Sequence, residues 1–99
     1  MEESKRVYIS GKITGLPMDE WTESFDRGCE KVENMGMNPI DPTILQVYDL
    51  TYEEYMKLDL MLLETCDAIY MLKGWEDSPG ANREHDRAKK LGLEIMYER

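Results

Sequence analysis

Strand-forming and helix-forming segments alternate along the whole chain, and that alternation is what most limits the folds open to it. Arg6-Val7-Tyr8-Ile9-Ser10 is a β-branched and aromatic run that stops at Gly11, the pattern of an interior strand. A helix follows, with Asp19 as its expected N-cap, an apolar stripe of Trp21, Phe25, Cys29 and Val32, and a stop at Gly36. Met37-Asn38-Pro39-Ile40 is a brief strand that Pro39 limits, and Asp41 to Leu50 reads as a loop. Thr51-Tyr52-Glu53-Glu54 forms a capping box that opens a helix running to about Thr65. Asp67-Ala68-Ile69-Tyr70-Met71-Leu72 is the clearest strand. Ser78 then caps a helix with Pro79 at its first position, Gly92 ends it, and Leu93-Glu94-Ile95-Met96-Tyr97 is a last strand.

Strands separated by helices require right-handed crossovers, which predicts an α/β fold with a parallel sheet covered on both faces. Ligands of such open sheets bind beyond the carboxyl ends of the strands. Three segments are expected there: Gly11 to Gly15, Pro39 to Leu50, and Gly74 to Gly80.

At 99 residues the chain is expected to form one domain, 1–99, with a modest core that removes roughly 65% of its unfolded surface from water. Lys and Arg number 12 against 21 Asp and Glu, a net charge of −9. A nucleic-acid polymer is thereby excluded as a partner, because binding many phosphates needs a basic surface. A single nucleotide is not excluded, since a few local groups suffice to hold it. No charged-then-apolar leader and no apolar run of about 18 residues is present, which predicts a cytoplasmic chain with no membrane partner. Cys29 and Cys66 lack metal-ligand spacing and read as reduced thiols. The single histidine, His85, builds no histidine-rich metal site and reads as a surface or subunit contact.

Two acids lie on helix faces that ought to be apolar. Tyr55, Asp59, Leu62 and Cys66 share one stripe, as do Ala81, Glu84, Ala88 and Leu91. A carboxylate drawn toward a core is costly unless partnered, and its pKa tends to rise. Either each acid snorkels at the edge of its stripe, or the two form the paired carboxylates that proteins use on glycosidic bonds. Ser78-Pro79-Gly80-Ala81 at a helix start is an ordinary cap or an anion site, with Gly80 permitting close approach. Gly11-Lys12-Ile13-Thr14-Gly15 matches neither a dinucleotide fingerprint nor a P-loop, yet Lys12 and Thr14 beside the Ser78 helix start would close around one phosphate. Trp75 and Tyr8 either stack on a ligand or fill the core. Met56, Met61, Met71 and Met96 read as core filling, and Glu20, Glu23, Asp26 and Glu30 as a solvated helix face.

Tyr8-Ile9-Ser10-Gly11-Lys12-Ile13-Thr14-Gly15, Leu58-Asp59-Leu60, Cys66-Asp67-Ala68-Ile69 and Gly74-Trp75-Glu76-Asp77-Ser78-Pro79-Gly80-Ala81 with Glu84 together resemble the nucleoside 2-deoxyribosyltransferase-like superfamily. The resemblance is nearest to its small DUF4406 branch and spans Val7 to Tyr97. It implies a flavodoxin-like (Rossmannoid) three-layer sandwich with a sheet of four or five strands. It further implies that Glu84 attacks the anomeric carbon of a sugar, that Asp59 assists departure of the base, and that Tyr8 orients the nucleophile. Ser78, six positions before Glu84, stands where relatives acting on nucleosides carry an aspartate and relatives hydrolysing nucleoside 5′-monophosphates carry a serine. Thr14 stands where those hydrolases carry a phosphate-binding arginine, with Lys12 as the candidate to compensate.

The expected function is cleavage or transfer at the N-glycosidic bond of a nucleoside or nucleoside 5′-monophosphate. Glu84, Asp59 and Tyr8 form the catalytic set, and Gly11, Lys12, Thr14, Trp75, Ser78 and Gly80 hold the substrate. No metal or organic cofactor is implied. The resemblance also implies pockets completed by a neighbouring subunit, hence a homodimer or larger. The rival expectations are an inactive nucleotide-binding module and an oligomeric accessory protein. A phosphoacceptor receiver domain is excluded, because Ser10-Gly11 supplies no acidic pair after the first strand.

Overall fold

A computed structural model describes residues 5–99. Four strands, β1 (Arg6–Ser10), β2 (Asn38–Ile40), β3 (Ala68–Met71) and β4 (Glu94–Tyr97), form an all-parallel sheet in the order β2-β1-β3-β4. Three helices, α1 (Met18–Asn34), α2 (Tyr52–Glu64) and α3 (Pro79–Leu91), make the crossovers. The chain steps outward from β1 to β2, then returns past β1 to β3 and continues to β4. Right-handed crossovers therefore put α1 on one face of the sheet and α2 with α3 on the other. This is the three-layer α/β sandwich expected from the alternation.

Two cores follow from the pleat. Val7, Ile9, Ala68, Tyr70 and Leu72 pack against Phe25 and Val32 on the α1 face. Tyr8, Ile69 and Met71 pack against Leu63, Cys66, Ala81 and Ala88 on the other. Gly28 brings α1 close to the sheet: a Cβ there would sit 2.6 Å from Leu72 Cδ2 and 3.3 Å from Ile9 Cγ2. Among the described residues, no helix is long and apolar enough to cross a membrane.

Several local readings need correction. Asp19 is not the N-cap of α1; the helix is entered from Pro17, whose carbonyl accepts from Glu20 and Trp21, and Asp19 lies in the first turn. The segment read as a loop holds a 3₁₀ helix, Pro42–Val47, because Asp41 accepts from both the amide and the hydroxyl of Thr43 with proline at the first position. Leu91 is 41% exposed, since Gly92 turns the chain in the left-handed region and Leu93 packs against the core in its place. Met61 is 57% exposed on the outer side of α2, unlike Met56 and Met71. The capping box, with Thr51 accepting from the Glu54 amide and Glu54 from the Thr51 amide, is present as read.

On the α1 face the chain closes with an ion-pair cluster. Glu98, whose side chain is fully buried, accepts from Arg27 at 2.7 Å, Lys31 at 3.0 Å and the Lys73 amide at 2.9 Å. The Arg27 guanidinium, with the Lys73 amide and Lys31, holds its carboxyl down at about 2.

Candidate active site

The crossovers diverge on either side of β1 and β3, so the carboxyl ends of these strands leave a crevice, the place where open α/β sheets bind ligands. A cavity of about 470 Å³ occupies it. Its floor is the end of β1 with Gly11, Ile13 and Thr14; its walls are the 3₁₀ helix, α2, and the start of α3.

Asp59 and Glu84 both line this cavity. Helical periodicity explains Asp59, which lies one turn after Tyr55 on the face of α2 that looks across the sheet end. Glu84 lies on the inner face of α3, between Ala81 and Ala88, and is only 5% exposed. Beneath it, Tyr8 and Ser10 stand on the same side of β1, two residues apart, as the pleat requires. The Tyr8 hydroxyl donates to Glu84 Oε2 and the Ser10 hydroxyl to Glu84 Oε1, both at 2.6 Å.

Electrostatics at this cluster are those of two acids sharing a dry site. Burial pushes Glu84 above the usual carboxylate range, the two hydroxyls oppose that rise, and Asp59 adds to it. Burial likewise raises Asp59. The pair therefore retains a proton past the pH at which solvated carboxyls lose theirs. Burial, reinforced by Glu84 and Asp59, pushes Tyr8 well above its ordinary value, so it remains a donor.

The opposite wall is the start of α3. Ser78 caps the helix, its hydroxyl accepting from the Ala81 amide at 3.1 Å, and Ser78, Pro79, Gly80 and Ala81 all line the cavity. Gly80 is needed for the close approach of α2: a Cβ would meet Met56 Sδ at 3.2 Å and Tyr52 Oη at 3.6 Å. Tyr55 ties the loop before α2, its hydroxyl donating to the Tyr48 carbonyl and accepting from the Leu50 amide.

Comparison of the sequence with protein families matches residues 5–97 to a family described as a domain of unknown function, DUF4406. The chain belongs to the DUF4406 family. No curated protein matches it. The DUF4406 fold is shared with a 2-deoxyribosyltransferase from Leishmania mexicana at a TM-score of 0.69, with 19% identity over 94% of this chain. It is also shared with the CMP N-glycosidase BcmB of Clostridium botulinum at a TM-score of 0.66, with 19% identity over 94% of this chain. The match covers 63% of the Leishmania protein's length and 70% of the Clostridium protein's. The likeness shows a common Rossmannoid α/β fold.

Of the residues singled out from sequence, the DUF4406 fold brings Gly11, Thr14, Asp59, Ser78, Gly80 and Glu84 into one lining, with Tyr8 directly behind Glu84. Lys12 and Trp75 are not among the lining residues. Trp75 is instead stacked on His85 at 4.5 Å, and His85 Nε2 is 2.8 Å from the Tyr97 hydroxyl. Ser10 was not anticipated at all; the period-two alternation that puts it beside Tyr8 was the available signal.

Proposed function

We propose that the protein cleaves or transfers the N-glycosidic bond of a nucleoside or nucleoside 5′-monophosphate, with Glu84 as nucleophile. The observation that carries this reading is the convergence of Glu84 and Asp59 in one sugar-sized cavity, with Glu84 oriented by Tyr8. In support, the fold is that of two proteins whose names specify deoxyribosyl transfer and CMP N-glycosidase activity.

In the first step a Glu84 oxygen forms a bond to the anomeric carbon. The carbon–nitrogen bond breaks, and its electron pair leaves with the base, which takes the proton held by Asp59. The resulting glycosyl ester is then attacked by water or by a second base, whose proton returns to Asp59 as the ester bond breaks. Two displacements at one carbon give net retention. Gly11 and Thr14 on one side and Ser78 with Gly80 on the other cradle the sugar and its 5′ end; the first turn of α3 suits an anion there. Lys12 and Trp75 have no contact role in this reading. Residues 1–99 act as one domain, and the exposed apolar side chains Ile44, Val47, Tyr48 and Leu58 beside the cavity are covered in a homo-oligomer.

The test is incubation with each deoxynucleoside and its 5′-monophosphate, with chromatography for free base, beside a Glu84→Ala control. Base release that the control abolishes supports the reading. No release from any substrate, with wild type and control alike, overturns it; calorimetric nucleotide binding in that case would favour a binding module.

A further inference from the structure

Glu84 solves an unusual problem. A buried carboxyl is ordinarily kept ionised by a cation, yet among the described residues no Lys, Arg or His forms an ion pair with Glu84. The titratable groups that bear on it are Tyr8 from β1 and Asp59 from α2, with Cys66 after α2 acting on Tyr8 in turn; all three are acids. What faces its two oxygens is one hydroxyl each, from Tyr8 and from Ser10, and Ser10 itself is wholly buried.

Both bonds to Glu84 measure 2.6 Å. With each Glu84 oxygen accepting one hydroxyl, the carboxyl is held in a single orientation, and both bonds favour its charged form against the rise that burial imposes. No hydroxyl or backbone amide among the described residues is similarly aimed at Asp59. Asp59 and Glu84 bond to one another through their carboxyls, and of the pair it is Glu84 that has two hydroxyls built beneath it.

We propose that Ser10 is a positioning residue which, with Tyr8, holds the Glu84 carboxyl in one orientation and favours its ionised form against the opposing effects of burial and Asp59. In the free protein this stands on the hydrogen-bond geometry; as a contribution to turnover it rests on the N-glycosidic reading given above. The consequence for that reaction is direct. A nucleophile must be charged and a general acid must be protonated at the same pH, and two neighbouring acids do not sort themselves into those roles without an asymmetry of this kind. Ser10 would also stop rotation of the carboxyl about its last torsion, leaving one oxygen edge toward the cavity.

The experiment is a pH titration of side-chain carboxyl carbons by ¹³C NMR in the full chain, with Glu84 and Asp59 assigned through Glu84→Gln and Asp59→Asn. In Ser10→Ala the Glu84 midpoint is expected to rise by about one pH unit, since a donor to the charged form has been removed. Ser10→Cys, similar in size with a feebler donor, should give a smaller rise and serves if the alanine variant does not fold. A Glu84 midpoint unmoved in the variants overturns the proposal. This titration needs no substrate, so absence of turnover would sink the proposed reaction without touching it. With turnover of deoxycytidine 5′-monophosphate, Ser10→Ala should shift the acid limb of the kcat profile upward by the same amount; an unshifted limb at lower kcat overturns the positioning role.

Discussion

The Tyr8 hydroxyl and the Glu84 carboxylate, 76 positions apart in the chain, meet at 2.6 Å with almost no access to solvent. Both belong to the frame of the fold: Tyr8 is paired on either side, with Ile40 and Ile69, and Glu84 is packed beneath α3. Tyr8→Phe keeps the ring and deletes one donor to a charged group, a change of about 1.5–3 kcal/mol. Base release at neutral pH is expected to fall roughly 10- to 100-fold. Initial rates on a deoxynucleoside monophosphate check this, and an unaltered rate would remove Tyr8 from the catalytic set.

Glu84→Gln is expected to raise stability while abolishing turnover. The amide has the shape of the carboxyl but carries no charge to desolvate beside Asp59. In a chain of this length about 1 kcal/mol corresponds to roughly 4 °C, so the melting temperature at slightly alkaline pH should rise by a few degrees. Differential scanning calorimetry measures it; a lower melting temperature would mean that the carboxylate is not a strained group.

Stability should peak in mildly acidic solution. Asp59 and Glu84 are held above the ordinary carboxylate range by burial, so above about pH 4.5 the folded chain binds more protons than the unfolded chain and stability declines as pH rises. The net charge of −9 adds self-repulsion in the same direction. Glu98 acts oppositely: lowered from 4.5 to about 2, chiefly by Arg27, it contributes stability above 4.5 that is lost as pH falls toward 2. Urea unfolding at about pH 3, 5 and 8 should give the highest midpoint at 5. Glu98→Gln should flatten the acid side alone, and Glu84→Gln the alkaline side alone.

Gly28→Ala tests how tightly α1 is seated. The added methyl would lie 2.6 Å from Leu72 Cδ2 and 3.3 Å from Ile9 Cγ2, both buried side chains that must shift within the core to admit it. Overpacking of this kind costs more than the gain in helix propensity returns, leaving a net loss of about 1–2 kcal/mol. Chemical denaturation would show it, and a stabilised variant would place α1 further from the sheet than described.

The frame was readable from sequence wherever a local rule applied. Thr51 with Glu54, and Ser78 before Pro79, announce helix starts through bonds within one turn, and alternation of elements dictates parallel strands. Asp59 and Glu84 were legible for the same reason, since helical spacing alone places them among apolar neighbours. What escaped the reading depends on distant partners or on irregular backbone. Glu98 meets Arg27 and Lys31 across 71 and 67 positions, and nothing near it in sequence marks it as buried. Ser10 ends a strand like any small residue until α3 lays a carboxyl over it. Lys12 follows β1 in irregular backbone and Trp75 opens a short 3₁₀ helix, so no strand or α-helical period fixes their direction, and neither lines the cavity assigned to it.

Because the two hydroxyls under Glu84 come from an interior strand locked on both edges, the aim of the nucleophile is decoupled from the loops that would choose the substrate. Lining residues outside the reactive cluster, such as Thr14 and Gln46, are thus free to be exchanged while the reactive oxygen stays on target. Such a molecule is a natural chassis for altered base or sugar preference: diversity belongs at the mouth, and β1 with Asp59 and Glu84 is what a library should leave alone.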